Sequence, residues 1–254
     1  MTRRRFYAPE AAFDAKRAGV NLAADEARHL REVLRLKVGD EVYVFNGAGK
    51  EFRCSIEQSR RDTARLKIVE EVTPARPESP LRLHLAVALL KGEKFDLVVQ
   101  KATELGVNSV TPVVTKLADV RLRDESDATK RVARWQRIAL EAAKQCGRAV
   151  VPKIARPVSF ANLIEEAGNQ AASSCLVFSE RDGQSLNEVW LQFSTKPGEL
   201  TALIGSEGGW AVEELDQARQ TGWTIVTLGG RTLRAETAAI AVTVLLQHLA
   251  GDLA

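Results

Sequence analysis

From Leu81 to the C-terminus, short apolar runs alternate with helix-length patterns, and this rhythm limits the possible folds more than any other feature of the chain. "LRLHLAVALL" reads as a strand. "GEKFDLVVQKATELG" reads as a helix closed by Gly106. "SVTPVVT" is a second strand, and "DATKRVARWQRIALEAAKQCG" is a long helix ending at Gly147. "SCLVFSE", "LTALIG" and "TIVTLG" are further β-rich runs, each followed by a polar or glycine break. "AVEELDQARQTG" and "RAETAAIAVTVLLQHLAG" are helical. Such alternation predicts an α/β fold, a mostly parallel sheet with helices on both faces. Ligands in these sheets bind beyond the carboxyl ends of the strands.

The first third of the chain differs. "DEVYVFNGAGKEFRCSIEQ" alternates apolar and polar residues around "NGAG", a hairpin signal. "TARLKIVEEV" is another alternating strand. "DEARHLREVLRL" reads as a helix with Leu30, Val33 and Leu34 on one face and Arg28, Arg31 and Arg35 on another. Pro74, Pro77 and Pro80 lie within seven residues and mark a linker. The expected division is a small β-barrel over 1–72, a linker over 73–80 and an α/β domain over 81–254.

Charge and cysteines narrow the function. The net charge of +3 lies wholly in the first third: residues 1–72 carry 15 Lys and Arg against 12 Asp and Glu, and the remainder carries 21 of each. This weak positive bias suits a polyanionic partner. Cys54, Cys146 and Cys175 are too few and too scattered for a disulfide framework or a zinc site, which favours a reduced cytoplasmic setting. The N-terminus lacks a secretory pattern, and no apolar run is long enough to span a bilayer. His29, His84 and His248 are dispersed, so no metal is expected. No P-loop or serine-hydrolase elbow occurs, and "GAGKEF" joins two strands instead of opening a helix.

Two loops at strand ends remain, "LIGSEGGW" at 203–210 and "LGGRTLRAETAA" at 228–239. Their glycines allow close approach of a ligand to the backbone. Glu207 would repel a phosphate, so the first loop suits a neutral or cationic ligand bearing hydroxyls. The residues alone leave a second reading open, in which Glu207 caps the following helix. Arg234, Glu236 and Thr237 open the last helix, where they either face a ligand or form a surface pair at a capped terminus.

These loops, with "RRRFY", "HLREVLRLKVGDEVYVFNGAGKEF", "KGEKFDLVVQKATELGV" and "RWQRIALEAAKQCGR", resemble the RsmE-type methyltransferases of the SPOUT superfamily over nearly the whole chain. Ser206 stands where that family usually has proline, and Leu117 and Ala118 where an Arg-Ser pair is common. The resemblance implies a PUA-like barrel, a C-terminal trefoil-knot domain and a homodimer. It implies transfer of methyl from S-adenosylmethionine to N3 of a uridine in 16S rRNA, within the small ribosomal subunit or a late precursor. Another SPOUT enzyme acting on tRNA, or an idle RNA-binding assembly factor, is the alternative. The residues expected at the cofactor are Leu203, Ile204, Gly205, Glu207, Gly208, Gly209, Leu228, Gly229, Leu233 and Thr237. Arg234 is the expected catalytic cation, and Glu236 orients it or relays the proton. RNA contacts are expected from Arg3, Arg4, Arg5, Arg28, Arg31 and Arg35, with Lys91, Lys94 and Arg148 as further candidates.

Overall fold

The computed structural model describes residues 3–168 and 174–253. The chain forms two compact units, one of residues 1–78 with 140–151, the other of 79–139 with 152–254.

The first unit is built on a five-stranded sheet. Its strands are β1 (Arg5–Tyr7), β2 (Gly19–Leu22), β3 (Glu41–Phe45), β4 (Glu51–Ser59) and β5 (Ala64–Val72), in the order β1-β3-β4-β5-β2. β1 runs parallel to β3, and the other neighbours are antiparallel. The β3–β4 hairpin closes at Phe45 opposite Glu51. Its "NGAG" turn works because Gly47 and Gly49 take φ values of +78° and +98°, which glycine adopts without strain. Register shifts between Arg53 and Cys54 and between Ile56 and Gln58 bend β4 against β5. Phe6, Leu30, Ile56 and Leu66 are fully buried beneath this sheet, and each stabilises the unit by roughly 1.5–3 kcal/mol relative to exposure.

The helical face expected around Leu30 is only partly formed. α1 (Ala24–Arg28) continues into a wider π-type turn over His29–Val33. That widening breaks the 3.6-residue phase. Leu30 is buried, but Val33 is 66% exposed and Leu34 37% exposed. Arg35 then ends the segment with φ +53°.

The second unit carries a parallel sheet. Its strands are β6 (Arg82–Ala88), β7 (Ser109–Val114), β8 (Lys153–Ile154), β9 (Val158–Ser159), β10 (Ser174–Phe178), β11 (Gln184–Ser185), β12 (Glu199–Ile204) and β13 (Thr224–Thr227). The order is β11-β13-β10-β12-β6-β7-β8, with β9 also against β7, and every pairing among the described residues is parallel. Its helices are α2 (Lys94–Glu104), α3 (Glu125–Cys146), α4 (Phe160–Gly168), α5 (Leu186–Gln192), α6 (Val212–Gln220) and α7 (Ala235–Ala250), with the last turns of α3 falling in the first unit. α2 packs on α7. Positive φ at Gly106 and Gly147 ends α2 and α3 as the sequence signals. Ala86, Val177, Leu203 and Ile225, one from each central strand, meet in one apolar cluster with Phe160 and Trp210. Burial of all four strands explains their near-continuous apolar runs.

No described helix is long and apolar enough to cross a membrane. No group of three metal-ligating side chains occurs among the described residues.

Candidate active site

Three neighbouring strands, β13, β10 and β12, end at one cavity of about 430 Å³. Phe178, Ser179 and Glu180 follow from β10. Ile204 to Trp210 come from the end of β12 and the loop after it. Leu228 to Arg234 come from the loop after β13, and α7 adds Ala235, Ala238 and Val242. This is the carboxyl edge of the parallel sheet, where strand order departs from chain order. The volume falls in the range of small-molecule sites.

The β12 loop is a tight turn in which the Gly209 N–H donates to the Ser206 carbonyl at 3.0 Å. Gly209 has φ +70°, and a Cβ there would stand 3.2 Å from the Glu180 carboxylate. A Cβ at Gly208 would come within 2.6 Å of the Leu117 carbonyl, so that glycine lets two loops pack together. A Cβ at Gly205 would meet the Trp210 ring at 3.0 Å. The Trp210 indole lies beneath the loop, donates to the Phe178 carbonyl and packs against Phe160. In the β13 loop, Gly229 and Gly230 have φ near +70°, at +71° and +73°, which turns the chain sharply before α7.

Glu207 does not cap α6. Glu214 does so, accepting from the Ala211 N–H at 3.1 Å, and it also accepts from the Lys116 N–H at 2.8 Å. Glu207 lines the cavity and takes a 2.8 Å hydrogen bond from Lys94 Nζ. Burial pushes its carboxyl up, but the Lys94 ammonium and backbone N–H groups outweigh that and hold it below its ordinary value. Lys94 in turn is held above its ordinary value, chiefly by the hydrogen bond to Glu207. The loop charge that the sequence presents to a ligand is thus largely answered from within the chain.

Arg234 is exposed at the start of α7 and lines the cavity, with Arg231 beside it in the same loop. The expected Arg234–Glu236 pair does not form among the described residues. Glu236 instead faces Lys94, with Oε2 3.6 Å from Nζ. Of the residues expected at the cofactor, Ile204, Gly205, Glu207, Gly208, Gly209, Leu228, Gly229 and Leu233 line the cavity. Leu203 and Thr237 do not. Leu203 sits in the ladder between Val177 and Ala86 with its side chain in the core, and Thr237 points to solvent. Sequence reasoning passed over Glu180, Arg231 and the Phe178 strand end. "SCLVFSE" carried the signal, since a third strand of the same sheet ends there in polar residues.

Two of the arginines expected at RNA are held by partners within the first unit. Arg5, nearly buried in the first unit, pairs with Glu51 at 3.3 Å and donates to the carbonyls of Ala143, Lys144 and Arg148, closing the C-terminal end of α3. Arg148 is 4% exposed and donates to Glu78 at 2.9 and 2.6 Å. Neither can present its guanidinium to a phosphate without breaking these bonds. Arg3 is partly tied, to Glu51 and the Thr73 carbonyl. Arg31 donates to the carbonyls of Arg60 and Arg61, whereas Arg4, Arg28 and Arg35 are exposed. Lys91 is exposed and paired with Asp119 at 2.6 Å.

Two protein families match this architecture. An RNA methyltransferase domain family matches residues 77–247, and an RNA methyltransferase PUA domain family matches residues 22–69. Ribosomal RNA small subunit methyltransferase E of Synechocystis is 32% identical over 238 residues, covering 94% of this chain and 75% of that protein. The chain belongs to the ribosomal RNA small subunit methyltransferase E family. The family member of Bacillus subtilis is 29% identical, covering 91% of this chain and 92% of that one. The methyltransferase E structure from Neisseria gonorrhoeae, bound to S-adenosylmethionine, superposes with a TM-score of 0.86 at 32% identity over the full length of both chains. A methyltransferase from Legionella pneumophila, also with bound S-adenosylmethionine, gives 0.86 at 31% identity over 99% of this chain and 100% of that one. The α/β fold, the PUA-like first unit and membership of an RNA methyltransferase family thus agree with the sequence expectation.

Proposed function

We propose that the chain methylates N3 of a uridine in 16S rRNA, using S-adenosylmethionine. The observation that carries this reading is the glycine-lined cavity at three strand ends, with Arg231 and Arg234 on its rim. The residues fit the cofactor. Gly209 keeps the cavity wall beside Glu180 free of a Cβ, and Gly205 lets the Trp210 ring close up beneath the loop. Glu180 and Glu207 offer carboxylate oxygens to ribose hydroxyls or to a nearby positive charge, and Phe178, Ile204, Leu228 and Leu233 supply apolar surface for a base.

When bound, S-adenosylmethionine supplies a methyl group on a sulfonium centre, open to displacement by a nucleophile. The chain's own task is then to hold the uridine in line with that methyl group and to make N3 reactive. A neutral imide N3 keeps its proton and is a poor nucleophile. As the proton leaves, charge spreads to O2 and O4, and a planar guanidinium can bond two such oxygens. That role is assigned to Arg234, which lines the cavity at the start of α7. Glu236, which faces Lys94 and lies outside the cavity lining, supports the start of α7 that carries Arg234.

The first unit is proposed to bind the RNA through Arg4, Arg28 and Arg35, with Arg3 and Arg31 adding charge nearby. These contacts position the RNA backbone without reading sequence. The target base must be unpaired or flipped to enter the cavity. The knotted chain path and a homodimer belong to the same proposal. Exposed Leu97 on α2 and Val244 and Leu245 on α7, two helices that pack together, support a self-association face.

Incubation with labelled S-adenosylmethionine and small ribosomal subunits, followed by nucleoside analysis, tests the reading. N3-methyluridine in 16S rRNA is expected. Label in tRNA, or on ribose, would overturn it.

A further inference from the structure

Lys94 opens α2 and stands between two carboxylates from the two loops of the cavity. Its Nζ donates to Glu207 Oε1 at 2.8 Å and lies 3.6 Å from Glu236 Oε2. Glu207 belongs to the loop after β12, and Glu236 to the first turn of α7. The Glu236 oxygen is shut off from solvent and accepts no hydrogen bond from a described residue. A carboxylate oxygen so placed has lost its hydration and needs a cation close by. Two carboxylate oxygens this near to one nitrogen are also near each other, and without that nitrogen they would repel. Lys94 is not among the residues that line the cavity.

We propose that Lys94 is a positioning residue for methyl transfer. One ammonium group ties the β12 loop to the start of α7 and so fixes Arg234, two residues before Glu236, at the rim of the cavity. This role replaces the RNA contact that a lone surface lysine suggests. It rests on reading the cavity as the cofactor site.

The experiment compares Lys94→Gln, Lys94→Arg and the double variant Lys94→Gln/Glu207→Gln with the wild-type chain. In the free protein, Lys94→Gln should speed amide hydrogen exchange over 205–210 and 231–237 by about tenfold and leave the core strands unchanged. With 16S rRNA, its kcat should fall about tenfold or more while the RNA KM stays within about twofold, the mark of lost transition-state alignment. Lys94→Arg should restore both readouts, because the positive charge is kept. The double variant should be less impaired than Lys94→Gln, because one of the two repelling charges is gone. Three results would overturn the proposal. A raised RNA KM with unchanged kcat would make Lys94 a phosphate contact. Unchanged exchange in both segments would mean there is no tether. Faster exchange throughout the second unit, with a lower Tm in both single variants, would reduce Lys94 to a fold residue. Calorimetry of the wild-type chain with S-adenosylmethionine separates the two readings: absence of binding would sink the cofactor assignment, while the exchange data would still judge the tether.

Discussion

The indole N–H of Trp210 donates to the backbone carbonyl of Phe178 at 2.8 Å. This bond ties the loop after β12 to the end of β10 beneath the cavity, and the same ring fills the space that a side chain at Gly205 would need. Trp210→Phe keeps most of the ring but removes this donor from the Phe178 carbonyl, which should cost about 1 kcal/mol. Trp210→Ala also leaves a void and should cost roughly 3–5 kcal/mol. Urea unfolding measures both. If Trp210→Phe is neutral, the ring alone supports the loop.

Gly209 has φ +70°, and a Cβ on it would crowd the Glu180 carboxylate. Gly209→Val therefore combines backbone strain with a blocked wall of the cavity, and a β-branched residue is poorly suited to positive φ. S-adenosylmethionine affinity should fall at least about thirtyfold, or about 2 kcal/mol, by calorimetry. Unchanged affinity would place the cofactor elsewhere.

The sequence made the sheet legible because burial on both faces forces continuous apolar runs, and because Gly47, Gly49, Gly106 and Gly147 mark positions that need positive φ. It was less informative where geometry is not periodic. The π-type turn at His29–Val33 shifts Val33 and Leu34 to solvent, and the 3.6-residue pattern cannot foresee that. Both glycine loops could be found, but not the partners of their charges. Lys94 and Glu207 are 113 residues apart, and nothing local pairs them. The same limit hides the partners of Arg5 and Arg148. A basic residue near a basic N-terminus or a helix end looks like a phosphate contact until Glu51 and Glu78 appear beside them.

Arg148 provides a stability prediction. Its guanidinium is buried, whereas Glu78 keeps some contact with water. Removing the cation leaves a partly buried carboxylate without its partner, so Arg148→Ala should destabilise the chain by about 3 kcal/mol. RNA affinity of the folded variant should be unchanged in a binding titration. Loss of RNA affinity at normal stability would reinstate Arg148 as a contact.

Burial pushes the Cys54 thiol from 9.0 up to about 12. The folded chain therefore keeps the proton to a higher pH than the unfolded chain does. Between pH 9 and about 12 the unfolded state binds fewer protons, so stability should fall as pH rises, by at most about 1.4 kcal/mol per unit from this group. Cys54→Ala should flatten that slope in urea melts. At pH 8, iodoacetamide should label Cys54 only after unfolding, because the thiolate is the reactive form. Rapid labelling of native Cys54 would contradict both expectations.

Arg234 follows the Gly229–Gly230 turn, lines the cavity and makes no ion pair with Glu236 among the described residues. Its guanidinium is therefore free of the one local partner that a surface role would supply. If it stabilises the imide anion, Arg234→Ala should lower the single-turnover rate by on the order of a hundredfold or more, as loss of one oxyanion donor does in other enzymes. S-adenosylmethionine affinity should change little. Arg234→Lys keeps the charge but loses the fork, so it should recover only part of the rate. Arg231 lies in the same loop and is the internal control. Arg231→Ala should affect RNA affinity more than rate. If Arg234→Ala instead weakens RNA binding while the saturated rate holds, the two arginines exchange roles, and Arg231 becomes the cation to place over the uridine.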